Sequence, residues 1–306
     1  MYTIREASAR SGVGAPLIRA WERRYGVVHP TRTPAGYRLY DDDTIAVLVT
    51  MRTLVDSGWT ASEAARAIVA GEVDPAEIRP SPGGGDARAA EAIGASHRER
   101  MIRRFVAAAE AGSAADTEGA LDEMLASGSF EAVVDAVLLP AAAALGDAWA
   151  AGRLSVGGEH AASQAVERRL AAFFQAAGVP GRVSVVVGLP PGSRHELGAL
   201  AFAAALRRRG VGVLYLGSDV TVDGWLDAVA RTRARAAVIG VVTADDRASA
   251  ALVVSELLAR GVPLVAVGGA AARSEEAGPM SGAMRVADRV VEAAAAVAEV
   301  VGGRRG

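Results

Sequence analysis

A multidomain fold, α-helical in its first part and α/β in its second, is what this chain of 306 residues predicts. Single cores usually divide beyond roughly 250 residues, so two or three domains are expected. Apolar residues recur three and four apart in "MIRRFVAAAEAG" and "FEAVVDAVLLPAAAALGDAW", the period of amphipathic helices. After residue 181 the texture changes to short β-branched runs separated by helical stretches, the pattern of βαβ units around a buried parallel sheet.

The first unit is predicted over residues 1–72. In "YTIREASARSGVGAPLIRAWERRYG", Thr3 is placed to cap a first helix and Ser11, Gly12 and Val13 make a tight turn. Pro16 suits the first turn of a second helix. Arg19 and Arg23 lie four apart and share one face of that helix, while Leu17 and Trp21 point to the core. "TRTPAGYRLYD" reads as a β-hairpin wing around Pro34, Ala35 and Gly36, with Arg32 and Arg38 on its arms. Residues 1–40 hold seven arginines against Glu6 and Glu22. A local basic face is thus hidden inside a formal net charge of −2, and helix, turn, helix and wing together point to DNA.

Residues 73–89 have the Pro and Gly density of a linker, and residues 90–178 read as a bundle of about four helices. Within the bundle, "LGDAWAAGRLSVGGEHAAS" ends one helix near Trp149, breaks at Gly152 and starts another at Ser155. A large ring, the carboxylate of Glu159 and the imidazole of His160 therefore fall near one loop.

Residues 181–306 supply the strands "RVSVVVGL", "VGVLYLG", "AAVIGVV" and "VPLVAVGG", with helices between them at 196–209, 222–233 and 246–260 and a last one at 286–301. A flavodoxin-like, Rossmann-type parallel sheet follows, whose ligands bind beyond the carboxyl ends of the strands. His195 sits in the loop after the first strand. That loop, "GLPPGSRHELG", has prolines where a dinucleotide-binding turn needs glycines. Two imidazoles, His160 and His195, approaching a flat ligand from opposite sides would be a natural axial pair for a metal macrocycle.

Composition narrows the classes further. Cysteine is absent, which removes disulfides, thiolate metal sites and cysteine nucleophiles. No signal-like start and no uncharged run long enough to span a bilayer are read in the sequence, so a cytoplasmic protein without a membrane partner is expected.

The first 70 residues resemble the winged helix-turn-helix of the MerR family of transcription regulators, carried by "TIREASARSGV", "IRAWERRYG" and "PAGYRLYDDDTIAVL". The resemblance implies a dimeric DNA-binding regulator, with Arg19 and Arg23 in the major groove and Arg32, Tyr37 and Arg38 on phosphates. MerR-family metal sensors use cysteines, so the effector here must be of another kind.

Over nearly its whole length the chain resembles the B12-dependent photoreceptor regulators of the CarH and LitR type. Their W-x9-EH motif is met by Trp149, Glu159 and His160, and their DxHxxG … SxL … GG pattern by His195, Gly198, Gly268 and Gly269. The resemblance implies adenosylcobalamin as cofactor, with His195 as the lower axial cobalt ligand and Gly198 letting the nucleotide tail pass. It further implies Gly268 and Gly269 along the tail tunnel, Trp149 and Glu159 at the adenosyl group, and His160 replacing that group on cobalt after light. A homo-oligomer, dimer or tetramer, would hold promoter DNA as a repressor in the dark. Two positions depart from the pattern: Ser193 stands where an acid is expected, and Val242 or Thr243 stands where the SxL serine is expected. Two other functions stay open: a MerR-type repressor whose sensor is B12-independent or holds another chromophore, and a cobalamin-dependent methyl carrier, which would be an enzyme subunit. No catalytic residue is assigned, and His29 and His97 receive no role.

Overall fold

The computed structural model describes residues 1–32, 38–56, 59–75, 93–178, 181–273 and 280–302. Most of the predicted linker, Tyr37 and the side chain of Arg32 lie outside the described residues. Two compact units form, Met1–Ala177 and Gly178–Gly306.

The first unit opens with β1 (Tyr2–Thr3), α1 (Ile4–Ser11) and α2 (Ala15–Tyr25). Thr3 and Glu6 form a reciprocal capping box at the start of α1, which satisfies two of the backbone donors a helix start leaves over. Gly12 ends α1 in the left-handed conformation at φ 70°, where a Cβ would be strained. The Arg52 guanidinium donates to the Ser11 carbonyl at 2.9 Å and pins the turn. Strands β2 (Thr31–Arg32) and β3 (Arg38–Tyr40) complete a three-stranded antiparallel sheet in the order β1-β3-β2, with Tyr2 opposite Tyr40 and Arg32 opposite Arg38. Helices α3 (Asp42–Asp56) and α4 (Ala61–Val69) follow. Trp21, Ile18, Tyr40, Leu48 and Met51 are fully buried at the centre of this part, and burying an aliphatic side chain stabilises by about 1.5–3 kcal/mol.

The bundle consists of α5 (Ala95–Glu110), α6 (Ala114–Ala126), α7 (Phe130–Ala150) and α8 (Val156–Ala176). A π-turn at Val134–Leu138 interrupts α7 just before Pro140, whose missing N–H cannot continue the α ladder. Helix α7 is long and apolar enough to cross a membrane, but Val133, Val137, Leu138, Ala141, Leu145 and Ala148 are buried within this unit. Phe130 and Phe173 pack with ring centroids 5.0 Å apart and planes tilted by 52°, an arrangement aromatic quadrupoles favour. The helix-turn-helix packs on this bundle, α2 lying against α6 and α8.

The second unit is a five-stranded parallel sheet in the order β5-β4-β6-β7-β8. Its strands are β4 (Val185–Gly188), β5 (Val213–Tyr215), β6 (Ala236–Gly240), β7 (Leu264–Gly268) and β8 (Met284–Arg285). Helices α9 (Leu197–Arg208), α10 (Val222–Thr232), α11 (Asp246–Ala259) and α12 (Val290–Gly302) connect and flank them. In sequence order this is 2-1-3-4-5, the flavodoxin-like arrangement, whose direction reverses between its first and third strands. Here those are β4 and β6, so a ligand crevice is expected where the loops after these two strands diverge. The last helix begins four residues later than the sequence predicts, because β8 and its turn occupy the intervening chain.

Candidate functional site

Two sets of residues predicted from sequence are placed by the structure, one in each unit. The DNA-reading set lies on α2 and the wing. Leu17, Ile18, Ala20 and Trp21 face the core, which leaves Arg19 and Arg23 exposed on the opposite face. Arg23 is ion-paired with Asp122 of α6. Beside it, Arg24 lies 3.5 Å from Glu123, and the Tyr25 hydroxyl donates to the Ala126 carbonyl at 3.2 Å; burial pushes the Tyr25 phenol up, so it remains a donor. Arg38 does not stand apart on the wing: its Nε donates to both oxygens of Glu22 at 3.0 and 2.9 Å and braces β3 against α2.

The acids that meet α2 belong to a wider network that residue order alone does not announce. Arg169 of α8 donates to Glu118 at 2.6 Å and to Asp122 at 3.0 Å, and Arg104 of α5 lies 2.6 Å from Glu123. Glu118 and Asp122 stand four apart on α6, one turn of a single face; that spacing was the available signal. His97, which was given no role, lines a cavity of about 260 Å³ with Tyr25, Thr60 and Glu123.

Elsewhere in the first unit, Trp149 and Val156 are exposed although apolar, flanking the turn at Gly152. The Ser155 side chain caps α8 by accepting from the Gly158 N–H at 3.1 Å. One turn in, Glu159 accepts from the Ser163 hydroxyl at 2.6 Å and sits 2.8 Å from Nδ1 of His160. In neutral His160 that contact places the ring proton on Nδ1 and leaves the Nε2 lone pair for another partner, the usual way a carboxylate prepares a metal-binding imidazole. The His160 side chain is 73% exposed.

In the second unit the loop after β4 carries Ser193 and His195, and the loop after β6 carries Val242 and Thr243. Both therefore stand at the topological switch point. His195 is exposed. Ser193 is 1% exposed, and its Oγ has no hydrogen-bond partner among the described residues, which is costly for a buried hydroxyl. At Gly198, on the first turn of α9, an added Cβ would meet nothing within 4 Å; packing does not require glycine there. Gly269 is different. Its φ is +109° and a Cβ would approach the Val241 carbonyl oxygen to 2.6 Å, while one on Gly268 would strike Val286. Close packing inside the sheet already accounts for these two glycines.

Two carboxylates hold the loops of this crevice. Asp219 accepts from the Gly192 N–H at 2.7 Å and donates its own N–H to the Ser193 carbonyl at 2.9 Å, in a left-handed conformation at φ 53° that is unfavourable for a non-glycine residue. Asp246, 5% exposed, accepts from the N–H groups of both Val242 and Thr243 at 2.8 Å. Next to His195, Glu196 accepts from the Tyr215 hydroxyl at 2.9 Å. A buried orphan hydroxyl, an exposed imidazole and unfilled space at Gly198 fit the edge of a large metal-centred ligand, and no group here is of the thiolate type.

Comparison with known proteins shows the family. The family described as MerR HTH family regulatory protein matches residues 2–70, and the family described as B12 binding domain matches residues 98–173. The HTH-type transcriptional repressor CarH of Myxococcus xanthus is 38% identical over 280 residues, covering 90% of this chain and 91% of the relative. The HTH-type transcriptional repressor CarA of the same organism is 28% identical over 274 residues, 88% of this chain and 87% of its own. A solved structure, the monomethylamine corrinoid protein of Methanosarcina barkeri, superposes with a TM-score of 0.54 at 17% identity over 66% of this chain and 99% of that one, which shows a shared fold. The chain belongs to the CarH family of HTH-type transcriptional repressors, a MerR-type DNA-binding unit joined to a B12-binding domain.

Proposed function

We propose that this repressor binds promoter DNA as a homo-oligomer while it holds adenosylcobalamin, and that light ends the repression. The observation that carries the reading is the loop after β4 at the switch point of the sheet, where exposed His195 follows by two residues Ser193, whose buried Oγ has no hydrogen-bond partner among the described residues. His195 would ligate cobalt from the lower side. Ser193 takes the place of the acid expected there, and its hydroxyl would accept the imidazole N–H and fix the tautomer. Gly198 would leave room for the nucleotide tail, with the walls at Val242, Thr243, Gly268 and Gly269. Trp149 and Glu159 would cover the upper, adenosyl side. Bound adenosylcobalamin supplies a cobalt–carbon bond that visible light breaks. His160, with Nδ1 held at Glu159, would then offer Nε2 at the vacated position, and the subunits would part. Avidity over linked DNA sites falls steeply when an assembly breaks, so DNA would be released in the cytoplasm.

The test uses the full chain loaded with adenosylcobalamin in the dark. Its visible spectrum should show imidazole ligation that His195→Ala abolishes, and green light should lower its mass in solution and free labelled promoter DNA. A chain that takes up no corrinoid would leave a B12-independent repressor. Unchanged mass and retained DNA under light would rule out the light mechanism.

A further inference from the structure

We propose that the acidic face of α6 is an autoinhibitory docking surface for α2, holding it in the place that DNA phosphates would take, and that release of α2 hands the acids of that face to arginines of the bundle. In a helix-turn-helix the second helix enters the major groove, and here that helix is α2. It is engaged along its whole length. At its start Gly14 lies against Phe173 of α8, whose ring an added Cβ would meet at 2.5 Å. In its middle Ala20 and Arg23 line one groove with Ala115, Glu118, Gly119 and Asp122 of α6; Arg23 is paired with Asp122, and Arg24 lies 3.5 Å from Glu123. At its end the Tyr25 hydroxyl donates to the Ala126 carbonyl. The major groove of DNA is about 12 Å wide and an α-helix with its side chains about 10–12 Å across, so α2 cannot enter it while α6 lies along Arg23. The contact is built to be reversible, because its acids are paired twice. Asp122 meets Arg23 through one carboxylate oxygen and Arg169 of α8 through the other, at 3.0 Å. Glu123 likewise meets Arg24 through one oxygen and Arg104 of α5 through the other, at 2.6 Å. Removing one partner of a shielded ion pair ordinarily leaves a costly uncompensated charge. Here each acid that loses an arginine of α2 keeps one from the bundle, so the docked and released states stay close in free energy, as a two-state switch requires. The ligand that throws this switch is DNA, whose phosphates offer guanidinium groups the same planar, bidentate match as carboxylates do. The contact lies within the first unit and stands independently of the cofactor reading.

The chain has no cysteine, so a single thiol can be placed in the groove between α2 and α6. Gly119→Cys suits this, since Gly119 is exposed and a Cβ there meets nothing within 4 Å. Modification of that thiol by a bulky polymer-linked maleimide is timed in the full chain, free and saturated with promoter duplex. Duplex should raise the rate several-fold as α2 leaves the groove, while Gly146→Cys, exposed on α7, reports any general change in access and should keep its rate. A rate at Gly119→Cys that duplex leaves unchanged or lowers, or an equal rise at both positions, overturns the proposal, because α2 then reads DNA without leaving α6. The second arm replaces the arginine that stays behind. Arg169→Gln leaves Asp122 to Arg23, so it should tighten the dock: the DNA-free rate at Gly119→Cys falls, and affinity for duplex drops by up to about fivefold, the equivalent of one ion pair. Arg103→Gln, the same charge change at the exposed pair with Glu99, should do much less. Equal effects of the two variants overturn the exchange at Asp122. Should Arg169→Gln unfold the bundle, the Gly119→Cys arm, with Arg169 intact, still decides whether α6 and DNA compete for α2.

Discussion

Replacing Asp122 by Asn and Glu123 by Gln should make this repressor bind DNA more tightly, although neither residue belongs to the DNA-reading part. Arg23 and Arg24, on the helix that would enter the major groove, are held by Asp122 and Glu123 of α6, so the acidic face of α6 occupies the place that phosphates would take. Exposed pairs of this kind contribute about 0.2–1 kcal/mol each, and two of them about 1 kcal/mol. If the docked form cannot reach DNA, the apparent affinity is lowered by the undocked fraction. Loosening the dock by about 1 kcal/mol then tightens binding by about fivefold where the docked form dominates. Fluorescence anisotropy of labelled duplex at low salt reads this directly, and the two proteins should converge toward about 1 M salt, where such charges are screened. Removing two negative charges from anywhere would favour DNA slightly, so Glu99→Gln/Asp147→Asn, altered at exposed sites of the same unit, serves as control. An equal gain in the control, or no gain in the α6 variant, refutes the docking of α2 as a brake on DNA binding.

Other perturbations separate the remaining parts. Gly14→Ala would bring a Cβ to 2.5 Å from the Phe173 ring; overpacking costs about 1–3 kcal/mol, so thermal unfolding should shift downward while DNA affinity rises, as undocking of α2 requires. Thr60 caps α4 and its hydrogen bonds hold the Glu63 carboxyl below the usual carboxylate range. A lowered native value means that stability is complete above the ordinary range and is lost as pH falls through the native one, so Glu63→Gln should flatten the acid limb of a pH–stability curve, and Thr60→Ala should cost about 1 kcal/mol. Ser193→Ala should weaken corrinoid affinity by about tenfold if its hydroxyl orients His195, measured by equilibrium dialysis in the dark; an unchanged affinity would show that the orphan hydroxyl serves no ligand.

Much of this architecture was legible from residue order. The cap at Thr3, the turn at Gly12 and the proline at the start of α2 are local signals, and local hydrogen bonds and steric limits obey them regardless of context. The alternation of strand and helix after residue 181 gave the sheet class, and the loop of His195 could be placed at the strand ends because that follows from parallel topology alone. What the sequence concealed were relations between distant segments. Nothing near Arg23 announces Asp122, 99 residues away, nor does the wing announce that Arg38 pairs with Glu22 of α2. The glycines show the same limit in reverse: Gly198 and Gly269 are equivalent letters, yet one opens onto space and the other is required by the Val241 carbonyl.

The two departures from the family pattern, at Ser193 and at Val242 or Thr243, look at first like losses of polar groups from the crevice. The structure places carboxylates next to both, but on the backbone rather than toward a ligand. Asp219 ties the amide of Gly192 and the carbonyl of Ser193, and buried Asp246 ties the amides of Val242 and Thr243. A hydrogen bond to a charged acceptor contributes about 1.5–3 kcal/mol, and Asp246 makes two within one loop. These loops are consequently fixed through their backbone, without using the side chains of Ser193, Val242 or Thr243. A site built this way can exchange the polar groups that meet a ligand and still keep its walls in place, because ordering of the loop and recognition of the ligand rest on different residues. If Ser193 serves the cofactor as proposed, its loss should be felt by the cofactor before it is felt by the fold, whereas loss of Asp219 or Asp246 should disturb the loops first.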